Sequence, residues 1–96
     1  MASPALYWHA RVFGNIGHVY EVLDGAKKLL QTQGLTNIKQ GSADVSGRTP
    51  NTHAAIGFVK FGNTLTAVVM VAGTVGTETK QVCKKLSDAV DKWAVQ

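Results

Sequence analysis

A chain of 96 residues, 45% hydrophobic and 17% charged, suits one globular domain over residues 1–96, leaves no room for two, and excludes a largely disordered chain. The formal net charge of +4 permits contact with nucleic acid or an anionic surface without demanding it. The longest uninterrupted apolar run, 67–72, falls far below the roughly 20 residues of a membrane span. The one cysteine, Cys83, rules out an intramolecular disulfide and suits a reducing compartment. The opening residues lack the basic and long apolar regions of a signal peptide. A cytoplasmic protein with no membrane segment is the expectation.

Residues 5–13 predict a first strand. Leu6, Trp8, Ala10 and Val12 share one side and are expected to face the core; Tyr7, His9, Arg11 and Phe13 share the other. A first helix is predicted over 16–33, with Val19, Val22, Leu23, Ala26, Leu29 and Leu30 recurring at helical spacing. Gly34 is placed as its stop. Gly25 within it costs about 1 kcal/mol relative to alanine and invites a close contact. Residues 37–44 predict a weak edge strand, and 46–51 (SGRTPN) a turn-rich loop.

The next stretch, 52–73, predicts a long antiparallel hairpin turning at Gly62 and Asn63, because glycine supplies the positive φ of a primed two-residue turn. Phe61 then opposes Thr64, and the register follows outward. Ala54, Ile56, Phe58, Leu65, Ala67, Val69 and Val71 fall on one face, with Val59, Phe61, Val68 and Met70 on the other. Neither face is polar. Thr77 is positioned to cap a second helix, predicted to run to about Val95. Its apolar stripe is Val82, Cys83, Leu86, Ala89, Val90 and Trp93.

The predicted order is β-α-β-β-β-α. It implies an α/β domain of the α+β type: a two-layer sandwich with a largely antiparallel four-stranded sheet and both helices on one face. The run α-β-β-β-α also occurs in double-stranded-RNA-binding domains, a likeness of topology. In that family a lysine cluster starts the last helix and a histidine precedes the second strand, a place that Pro50 and His53 suit. The spacing of Lys80, Lys84 and Lys85 is not that family's.

Three surfaces follow. Two single-striped helices cover one sheet face, which leaves Val59, Phe61, Val68 and Met70, with Tyr7 and Phe13 of the first strand, as an apolar patch for a homodimer. The competing occupants are the N-terminal segment or the 41–51 loop. The glycine turns FGNIGH and AGTVGTE enter the two helices. If the first and last strands ran parallel, Gly14, Gly17, His18, Gly76 and Thr77 would share one end of the sheet and could hold a phosphate. Lys80, Lys84 and Lys85, with Arg48 of the SGRTPN loop, form a candidate nucleic-acid surface, less favoured because Asp88 and Asp91 interrupt it. His9, His18 and His53 lack metal-ligand spacing, Cys83 lies on an apolar stripe, and no catalytic motif or cofactor fingerprint is present. An interaction module that self-associates through its sheet is thus the leading expectation, ahead of a weak nucleic-acid binder and of an anion-binding protein or small enzyme.

Overall fold

Gly62 sits at φ 60°, the positive value that the first position of a type II′ turn requires. The strands on either side pair antiparallel, with Phe61 opposite Thr64 and Lys60 opposite Leu65, as the turn chemistry predicts. The computed structural model describes residues 5–15 and 20–94; at residues 14, 15, 20, 21 and 61 it describes the backbone path alone. In chain order the elements are β1 (Ala5–Asn15), α1 (Tyr20–Thr32), β2 (Thr36–Gln40), β3 (Asp44–Thr49), β4 (Thr52–Phe61), β5 (Thr64–Gly73) and α2 (Gly76–Ala94). The sheet order is β1-β5-β4-β3-β2, and all neighbours are antiparallel. The fold is α+β.

The sheet has five strands where four were expected. Residues 37–44 are not one strand, and most of the SGRTPN segment is not a loop. Instead 36–40 and 44–49 form a second hairpin, closed by the Gly41 N–H donating to the Asp44 carbonyl at 2.8 Å. Only Pro50 and Asn51 remain as a turn. The cause is a long-range one. The edge of β4 offers a full row of backbone partners, and Val45 and Gly47, opposite Ile56 and Ala54, are buried there. Pairing of this kind outweighs the turn-forming preference of Ser46 and Gly47. Because β3 lies within the sheet, it does not fold over the sheet's other face.

The buried residues form one cluster. The hairpin contributes Ala54, Ile56, Phe58, Leu65, Ala67, Val69 and Val71, all from the face that the register assigns to the core. Val22, Leu23, Ala26 and Leu30 of α1, Leu35, Val45 of β3, and Cys83, Leu86 and Val90 of α2 complete it. α1 lies against β2 and β3, and α2 against β1 and β5, so the helices share one side of the sheet.

Helix ends follow local chemistry. Gly34, at φ 85°, donates to the Gln31 carbonyl while Leu35 donates to that of Leu30, a Schellman motif with Leu35 buried beneath it. α2 starts one residue earlier than its apparent cap. Thr79 donates to the Val75 carbonyl through both its N–H (2.9 Å) and its hydroxyl (2.7 Å), and Thr77 lies inside the helix. Glu78 accepts hydrogen bonds from Thr49 and Asn51, each at 3.3 Å, which ties the β3–β4 turn to the first turn of α2.

Gly25 does make the close contact its position invites. A Cβ there would lie 2.6 Å from the Trp93 ring. Gly25→Ala should therefore destabilise the protein by about 1–3 kcal/mol through overpacking, even though alanine is the better helix former; a higher urea midpoint than wild type would refute the contact. Thr52 is buried, and its hydroxyl finds no hydrogen-bond partner among the described residues. An unpaired buried hydroxyl costs about 1–3 kcal/mol, so Thr52→Val, which keeps the shape, should raise the thermal midpoint.

Candidate interaction surface

β1 presents the opposite side to that expected. Tyr7, His9 and Arg11 oppose Val71, Val69 and Ala67, all core residues of β5, and so lie on the helix side. The Phe13 ring meets Trp93 edge-on at 4.9 Å and Phe58 at 6.0 Å, while Phe58 and Trp93 lie 6.3 Å apart. His9 Nε2 lies 2.8 Å from Asp91 Oδ1 of α2. Together these contacts seat the less apolar side of β1 under α2. Edge-to-face aromatic pairs contribute beyond the area they bury, and an Asp91 carboxylate on the helix gives His9 a partner that solvent-facing Leu6 or Trp8 would not need.

Tyr7 and Phe13 therefore leave the interface set, and Leu6, Trp8, Ala10 and Val12 enter it. These four oppose Ala72, Met70, Val68 and Thr66 on the open side of the sheet. Leu6 is 68% exposed, Trp8 69%, Val12 57%, Val59 45% and Met70 43%. Val68, the central member of the expected patch, is half-buried among them. The Phe61 side chain lies outside the described ones. Leu6, Trp8 and Val12 were hidden from sequence reading because apolar character reads as core, and nothing local records which side a distant helix covers.

Small residues lie between the large ones. Ala10, Ala55, Gly57 and Ala72 share this face. A Cβ added at Gly57 would touch nothing but the Met70 methyl, at 3.8 Å, so the space above it is open. The face thus has projecting side chains at Leu6, Trp8 and Met70 and hollows beside them. Towards β3 it becomes polar: Ser46, Arg48 and His53 occupy the corresponding positions.

The glycine turns do not converge. β1 and β5 run antiparallel, which places Gly14 beside Leu65 near the Gly62 turn, while Gly76 and Thr77 follow Gly73 at the other end, where Gly73 opposes Ala5. Gly17 and His18 lie outside the described residues. The four basic candidates also separate. Lys80, Lys84 and Lys85 are exposed on α2, where Lys84 pairs with Asp88 at 3.2 Å, whereas Arg48 is on the open side of the sheet. Among the described residues no three histidines, cysteines or carboxylates gather as a metal would need, and no helix is long and apolar enough to cross a membrane. Cys83 is buried, with its Sγ 3.7 Å from the Ser87 hydroxyl.

No family model, curated protein or solved structure matches this chain. What the surface can do rests on its own chemistry: it offers desolvation of a broad apolar patch.

The reversal of β1 has opposite consequences for its two largest rings. Phe13→Ala should lower stability by about 2 kcal/mol or more, since it opens the cluster beneath α2, whereas Trp8→Ala should change the stability of the isolated subunit by less than about 0.5 kcal/mol. Urea unfolding of both variants at low protein concentration checks this.

Proposed function

We propose that this protein is a small self-associating interaction module, and that its working surface is the open face of the sheet. The observation that carries the reading is the group of five large apolar side chains, Leu6, Trp8, Val12, Val59 and Met70, exposed together on β1, β5 and β4. Contiguous apolar patches of this kind on soluble proteins mark interaction sites. Covering each such side chain stabilises a complex by roughly 1.5–3 kcal/mol at most, and partial exposure in the free subunit reduces that.

A second copy suits the patch. Its projections and hollows alternate, so a two-fold axis can seat Trp8 and Met70 of each subunit over the small residues of the other. Two sheets pack face to face at about 10 Å, a spacing that side chains of this size fill. The open face carries few charges on its β1–β5 half, where Arg11 and His9 point to the helix side; like-charge repulsion does not oppose the pairing.

Sedimentation equilibrium at micromolar concentration should show a homodimer. Trp8→Glu and Met70→Asp should each give a monomer with unchanged far-ultraviolet circular dichroism. Should the dimer be required for folding, the milder Trp8→Ala should raise the dissociation constant by tenfold or more, since about 1.4 kcal/mol corresponds to a factor of ten. A wild-type protein that remains monomeric up to about 100 μM, far above the concentration that an interface of this class needs, would sink the proposal.

A further inference from the structure

The polar end of the open face carries a feature that the dimer does not use. β2 has an irregularity between Thr36 and Lys39, and Asn37 within it adopts φ 52°, the only non-glycine residue of positive φ among those described. Thr36 opposes Arg48. With regular pairing Ile38 would then oppose Ser46 on the open side, and Lys39 would oppose Val45 on the core side. The extra residue shifts the strand by one place. Lys39 opposes Ser46, Gln40 opposes Val45, and Ile38 packs against the core. A bulge re-aims side chains in this way. Here it brings Lys39 onto the same face as Arg48 and His53.

These three side chains line one cleft of about 610 Å³, together with Asn37, Ile38, Ser46 and Gly47. Arg48 and His53 are directly opposed, which separates their Cβ atoms by about 5 Å, and Lys39 is diagonal to Arg48 at roughly 7–8 Å. No described carboxylate neutralises them. Asp44 is at the far end of β3 with its carboxylate turned onto Gly41, and Glu78 is engaged on the helix side by Thr49 and Asn51. Asp24, Asp88 and Asp91 are on the helices, where Lys28, Lys84 and His9 pair with them. Lys39 and Arg48 are both cationic and share this face with no described carboxylate between them. An arginine fork, a lysine ammonium and an imidazole converging on a cleft form a donor set for phosphate oxygens.

We propose that the cleft between β2, β3 and β4 is a binding site for a phosphate-bearing small molecule, with Arg48, Lys39 and His53 holding the phosphate. Its volume falls within the range of small-molecule sites. The site is separate from the glycine turns of the helix N-termini. Its residues are distinct from the large apolar ones of the dimer face: Lys39 is on β2, Arg48 on β3 and His53 at the start of β4, whereas Leu6, Trp8 and Val12 are on β1, Met70 on β5 and Val59 near the end of β4.

The test is a titration of the ¹⁵N-labelled protein with inorganic pyrophosphate, followed by amide shifts, at constant ionic strength. Saturable shifts should centre on Lys39, Arg48 and His53. Arg48→Ala should weaken binding by about tenfold or more, Arg48→Lys by less, and Lys39→Ala by several-fold; Lys84→Ala and Lys85→Ala on α2 should leave it unchanged. Adenosine monophosphate and a twelve-residue oligothymidine serve as competitors. Displacement of pyrophosphate by the monophosphate supports the proposal. The absence of saturable shifts, an Arg48→Ala variant that binds as wild type, or oligothymidine binding that pyrophosphate does not displace would each overturn it, the last in favour of a nucleic-acid surface.

Discussion

The antiparallel pairing of β4 with β5 is the constraint on which the other elements depend. Its register follows from a two-residue turn in which Gly62 takes a positive φ, and a slip of one residue would move every side chain to the opposite face. With that register, one face presents a largely apolar surface from Ala54 to Val71, interrupted at Lys60 near the turn, and both helices have single apolar stripes that match it. The helices cannot cover two faces at once. An apolar second face is therefore a direct consequence of the hairpin, and its fate is the functional question for this protein.

β1 converts that consequence into a defined surface. It joins the hairpin on the β5 edge and could have offered either side to α2. The ring contacts of Phe13 with Phe58 and Trp93, and the His9–Asp91 pair, favour the side that reads as less apolar. The two largest apolar residues of the other side, Trp8 and Leu6, are then exposed beside Met70. Burial of an aromatic ring in a matching cluster outweighs a simple count of apolar positions, since three rings at right angles fill the space between sheet and helix that branched aliphatic chains would leave partly empty. Gly25 belongs to the same arrangement: the absence of a side chain there allows α1 to approach Trp93.

At the opposite edge of the sheet, the β2–β3 hairpin shows how one backbone irregularity serves both layers. The bulge at Asn37 packs Ile38 against the core and places Lys39 on the open face. The open face is consequently divided, apolar across β1, β5 and much of β4 and cationic at β2 and β3. The proposed self-association and the proposed anion binding draw on different residues of this face, with β4 contributing Val59 to the first and His53 to the second.

Local chemistry was sufficient for the hairpin and its register, the seven-residue core face, the two helices and the Gly34 stop, because each rests on interactions within a few residues or on a strict two- or 3.6-residue period. It was also sufficient to place Val59, Val68 and Met70 on the second face of the hairpin. Three matters were decided only in the assembled fold. The strand at Asp44–Thr49 exists because β4 supplies its hydrogen bonds, while Asp44, Ser46 and Gly47 favour turns. The orientation of β1 depends on Trp93 and Asp91, some 80 residues away in the chain, so no local pattern could choose between its sides. The antiparallel course of β1 beside β5 separates the Gly14 and Gly76 turns that a parallel pairing would have joined. In each case the deciding partner is distant in sequence and near in space, and periodicity, which records only what a segment offers, does not record which partner accepts it.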